Sequence, residues 1–107
     1  MVRNIAITKR EREIVRGVLS PYAEKINEVA VFGSRAMGTA RPASDIDLVI
    51  YGDLSEDQIS RLWSLFDQSS LAVTVDIADY SRVAHAPLKR HIDAVAIPLF
   101  TRADLNA

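Results

Sequence analysis

Apolar residues recur along this chain with two periods, and the switches between them mark its elements. Ile14, Val15, Val18 and Leu19 are spaced for one face of a helix, and Thr8 with Glu11 forms a capping box at its start. The Ser20-Pro21 step predicts where that helix ends, because the residue before a proline avoids the α region. Residues 28–32 form an apolar, β-branched run closed by Gly33, which reads as a short buried strand. A turn of helix over 35–40 and a loop over 41–44 follow. Strict alternation returns over 45–51, with Ile46, Leu48 and Ile50 on one face and Asp45, Asp47 and Val49 on the other. Ser55 and Gln58 predict a second capping box, opening a helix whose Ile59, Leu62, Trp63 and Phe66 form one stripe. Alternation over 71–78 predicts a third strand, with Leu71, Val73, Val75 and Ile77 opposite Ala72, Thr74, Asp76 and Ala78. A broken helical stretch spans 81–94, interrupted or started by Pro87, and 95–100 reads as an edge strand or a docked tail. Met37 and Trp63 are expected to pack in the core. The order predicts an α/β (α+β) fold, a small mixed sheet of about four strands with helices packed on one side.

Composition narrows this picture only a little. The 107 residues predict a single domain over 1–107, and 49% hydrophobic with 25% charged residues suits a globular chain. Cysteine is absent, which excludes disulfides and thiolate zinc sites. No apolar run approaches the roughly 20 residues of a membrane span. The segment from Met1 to Arg12 is charged and lacks the apolar core of a signal peptide, so a cytoplasmic location is the expectation. A net charge of −1 argues against a strong nonspecific hold on nucleic acid. Residues 1–26 carry six Lys/Arg against three Glu, whereas the remainder is acidic and contains the aspartates of interest.

Chemistry concentrates at two aspartates placed where a strand should be. Asp is depleted in strands, and Asp45 and Asp47, at i and i+2, point to the same side of the sheet. Like charges held so close call for a cation, and a divalent metal is the evident candidate. If the second and third strands are neighbours, Asp76 joins them. Magnesium prefers hard oxygen ligands, commonly one or two carboxylates with substrate phosphates and water. Solvent-facing strand residues and turn caps would explain the same carboxylates without a metal. Upstream, Gly33-Ser34 follows a buried strand, where glycine permits a close backbone approach and the next amides suit an anion. Ser34 would donate its hydroxyl to a terminal phosphate, although Gly-Ser pairs also serve as plain turns.

The segment from Val31 to Ile50 resembles the signature of the polymerase-β-like nucleotidyltransferase superfamily in its minimal form. That signature runs Gly-Ser-x-x-x-Gly, then Ser-Asp-x-Asp-Leu, with a third acidic residue on a later strand. Gly33, Ser34, Gly38, Ser44, Asp45, Asp47 and Leu48 match it, and Asp76 stands where the third carboxylate is expected. The resemblance implies the fold of that superfamily and magnesium-dependent nucleotidyl transfer, usually from ATP, with pyrophosphate leaving. It implies that Gly33 and Ser34 hold the phosphates and that Asp45 and Asp47 bind the metal. Asp76 would complete a second metal or take the acceptor proton. Arg35 would neutralise phosphate charge, or be a plain surface arginine. Asp53, Asp57 and Asp79 read as turn or cap residues, and His85 and His91 as structural or surface residues.

Larger members of the superfamily carry an additional substrate domain, so the resemblance implies that the acceptor site comes from elsewhere. Minimal members typically pair with a small helical partner of the HEPN type and, in the better understood pairs, act as antitoxins by adenylylating its tyrosine. The leading expectation is the catalytic half of such a pair. The alternatives are a binding module that does not turn over, and a small-molecule nucleotidyltransferase completed by a second subunit. Ala96 to Phe100 is a candidate contact surface, or a core strand.

Overall fold

The computed structural model describes residues 5–107; the first four residues of the charged N-terminal segment lie outside it. Helix α1 (Lys9–Leu19) begins at the Thr8–Glu11 capping box, with both reciprocal bonds present, and buries Val15 and Leu19. At Ser20-Pro21 the α-helix gives way to a 3₁₀ turn over Ser20–Lys25. Strand β1 (Ile26–Phe32) then crosses the middle of the molecule, and a single helical turn, α2 (Ser34–Met37), follows Gly33. Strand β2 (Ile46–Gly52) leads to α3 (Glu56–Asp67), which starts at the expected Ser55–Gln58 capping box. Strand β3 (Val75–Asp79), helix α4 (Ala86–Val95), strand β4 (Ile97–Thr101) and helix α5 (Arg102–Asn106) complete the chain.

The four strands form one mixed sheet in the order β3-β2-β1-β4, antiparallel except for the parallel pair β2–β3. The larger core lies on one face, where Val15 and Leu19 of α1, Leu62 and Phe66 of α3 and Leu105 of α5 meet Val31, Leu48 and Ile50 of the sheet. The second face holds a smaller core of Ala30, Phe32, Val49 and Ile92, the last from α4. The expectation that helices pack on one side is therefore corrected. Ile92, with Leu88 and Val95 beside it, gives α4 an apolar stripe of its own, and that stripe covers the opposite face.

Two further expectations change. The third strand starts at Val75 rather than at residue 71, because its partner β2 begins at Ile46 and offers nothing earlier to pair with. Met37 and Trp63 are exposed, 52% and 39%, where packing was expected. The last apolar run follows two of its expected readings: β4 is an edge strand of the sheet, and it belongs to the core rather than to an exposed contact surface, since Ile97, Leu99 and Phe100 are all buried. Helix α5 is held by α1 and the 3₁₀ turn after it: Arg16 donates to the Asp104 carbonyl at 3.0 Å and Ser20 to that of Leu105 at 2.8 Å.

Candidate functional site

Register brings the carboxylates together. In the parallel pair Ile46 stands beside Val75, so Asp47 falls directly opposite Asp76 and both leave the sheet on the α4 face. On its other side Asp47 pairs with Phe32, the residue before Gly33. Gly33 has φ +68°, a conformation that side chains rarely adopt, and a Cβ there would stand 2.2 Å from a carboxylate oxygen of Asp47. The backbone thus turns against the aspartate at the one place where a side chain would displace it. Ser34 opens α2 next to this contact, and Gly38 closes that turn with φ +80°.

The electrostatics follow from this crowding. Burial, then the charges of Asp76 and Asp45, push the Asp47 carboxyl above its ordinary value, and a hydrogen bond with Asp76 favours the protonated form further. His91 of α4 pulls in the other direction. Its ring meets Phe32 edge-on, with centroids 6.1 Å apart and planes at 76°. This histidine was expected to be a structural or surface residue; the sheet-facing stripe of α4 brings it to the carboxylates, and only the placement of that helix reveals it.

Asp45 precedes the ladder and is exposed, close enough for its charge to act on Asp47. Among the described residues, no three carboxylate or imidazole groups form a ready-made metal cluster. The expected triad is therefore a facing pair with a third carboxylate at its rim. That donor set still fits magnesium: two hard oxygen donors, repelling one another, with the remaining positions left to substrate and water.

Arg35 does not belong to the site. It is 3% exposed, and both terminal nitrogens of its guanidinium are committed to protein, at 2.8 Å to Glu11, 3.0 Å to the Ala6 carbonyl and 2.7 Å to the Ser44 carbonyl, while its Nε is buried with no partner among the described residues. The expectation that it neutralises phosphate charge is corrected for that reason. It braces the loop that leads into Asp45, while the Ser44 hydroxyl accepts from the Arg41 amide at 2.8 Å and closes the same loop. Burial opposes the charge on Glu11, but the Thr8 amide and Arg35 outweigh it and hold that carboxyl below its ordinary value. Asp79 caps the turn after β3 as expected, accepting from the Ser81 amide and pairing with Arg82.

Comparison with known proteins bears on the family and the fold. The family model described as polymerase beta, nucleotidyltransferase matches residues 13–105. A Methanocaldococcus jannaschii protein provisionally named a protein adenylyltransferase is 37% identical over 54 residues, which is 50% of this chain and 54% of that protein. The match thus spans about half the length of that relative. A toxin–antitoxin structure with AMP-PNP is similar over 89% of this chain and 80% of its own, with TM-score 0.68 and 25% identity. The toxin–antitoxin structure MntA–HepT shares the fold over 92% of this chain and 77% of its own, with TM-score 0.64 and 22% identity. No helix among the described residues is long and apolar enough to cross a membrane.

Proposed function

The chain belongs to the polymerase beta nucleotidyltransferase family, and on that premise we propose that it transfers AMP from ATP to a hydroxyl group of a partner protein, releasing pyrophosphate. The observation that carries this reading is the in-register meeting of Asp47 and Asp76 beneath Gly33. Asp47 and Asp76, with Asp45 at the rim, would hold magnesium. When bound, magnesium would offset the charge of carboxylates and phosphates and polarise the α-phosphoryl group. Gly33 and Ser34 lie against the β- and γ-phosphates, the glycine through its bare backbone and the serine through its hydroxyl. The acceptor oxygen bonds to the α-phosphorus, the bond to the bridging oxygen breaks, and pyrophosphate leaves. Asp76 takes the acceptor proton. Such transfer depends on alignment more than on covalent help from the protein.

A helical HEPN-type protein offering a tyrosine is the proposed acceptor, with the chain acting as its antitoxin. The toxin–antitoxin relatives, one of them solved with AMP-PNP, support this pairing. Incubation with ATP labelled in its α-phosphate, magnesium and the candidate partner tests the proposal. Label should appear on the partner, and Asp45→Asn with Asp47→Asn should abolish it while leaving the fold intact. Transfer that survives both changes would overturn the metal assignment. Nucleotide binding without transfer would indicate a binding module, and a labelled small molecule would point to a different acceptor.

A further inference from the structure

We infer that His91 is a substrate-contacting residue, donating a ring N–H to a phosphate oxygen of the bound nucleoside triphosphate; this rests on the proposed nucleotide site. Position supports it first. The His91 ring is seated against Phe32, which pairs with Asp47 and leads directly into Gly33, so α4 carries the imidazole to the rim of the carboxylate cluster. The charges acting on Asp47 come from Asp45 just ahead of its strand, Asp76 on β3 and His91 on α4, and His91 alone is of opposite sense.

Availability supports it second. Among the described residues the recorded interactions of His91 are the edge contact with Phe32 and the charge interaction with Asp47, so neither ring nitrogen is taken by a protein hydrogen bond. Arg35, next to the Gly-Ser turn, is buried, with both terminal nitrogens bound to Glu11, Ala6 and Ser44. A triphosphate entering this site meets carboxylates from two strands. Beside the Ser34 hydroxyl, His91 is a further side chain with a donor to offer, and an imidazole N–H suits a phosphate oxygen.

Two substitutions separate contact from packing. His91→Phe keeps the aromatic edge on Phe32 and removes both nitrogens; His91→Gln keeps a donor. Calorimetric titration with magnesium and AMP-PNP, and separately with magnesium and pyrophosphate, should show His91→Phe weakened about tenfold or more for both ligands. His91→Gln should stay within about threefold of the parent, and His91→Phe should melt at the parent temperature. Unchanged affinity in His91→Phe would overturn the inference. So would a loss confined to AMP-PNP, which would place the histidine at the base or sugar. A parent chain that binds AMP-PNP yet transfers nothing would remove the transferase reading and leave the contact standing. A parent chain that binds neither ligand would remove both.

Discussion

Gly33 and Arg35 sit two positions apart and do opposite work. Gly33 matters for what it lacks. Alanine there would meet the Asp47 carboxylate at 2.2 Å in a backbone conformation with φ +68°. Because a shift of about 1 Å at a reacting centre can cost on the order of 100-fold in rate, Gly33→Ala is expected to lose transfer by that factor. The chain should still fold, as circular dichroism and nucleotide-transfer assays on the same sample would reveal. Arg35 matters for what it holds, tying Glu11, Ala6 and the 41–44 loop together from behind. Arg35→Met leaves Glu11 without its cation and should cost roughly 3–5 kcal/mol in chemical denaturation. Nucleotide affinity of the folded fraction should stay within a few-fold; a large loss of affinity at parent stability would restore the phosphate role. The sequence showed that an arginine followed Gly-Ser, but its direction was set by Glu11, 24 residues earlier, and no local pattern carries that.

Elements were legible where a local rule had no competitor. Both capping boxes formed as their spacing demanded, because Ser and Thr side chains satisfy amides that a helix start leaves open. Strand β2 and its two faces followed from alternation alone. The start of β3 did not, because the alternation of Leu71 and Val73 continues past the point where a partner exists. The last apolar run was ambiguous for the converse reason: its burial depends on β1, far away in sequence, and on α1. Arg12 lies 5.1 Å over the Phe100 ring and donates to the Leu99 carbonyl at 3.3 Å. Leu99 is 3% exposed, and Leu99→Ala is therefore expected to cost about 2–5 kcal/mol by urea denaturation. A contact surface would instead tolerate the change and lose partner affinity.

At the scale of the whole molecule the two faces of the sheet divide stability from chemistry. The larger core underlies α1, α3 and α5; the carboxylates stand on the other face beside the smaller core under α4. The acid pair strains that second face. Burial and the charges of Asp76 and Asp45 raise the Asp47 carboxyl, so near its titration the folded chain holds a proton that the unfolded chain has released. Stability carried by that proton is complete below the unfolded value and is lost as pH rises through the folded one. Asp47→Asn should accordingly melt a few degrees above the parent at neutral pH without magnesium, the gap closing as pH falls towards about 4. Melting curves across that range check it, and a variant that melts lower at neutral pH would contradict the strain.

The register of β3 carries a consequence for inheritance. Side chains on a strand alternate, so the meeting of Asp47 with Asp76 depends on whether the count of residues in their ladder is odd or even. Residues 68–74 lie outside the ladder, and a codon gained or lost there changes loop length while leaving that parity alone. A codon inserted between Val75 and Asp76 instead turns the carboxylate towards the larger core. The site thus divides a short stretch of gene into positions that forgive length changes and positions that forbid them, and the border falls at Val75.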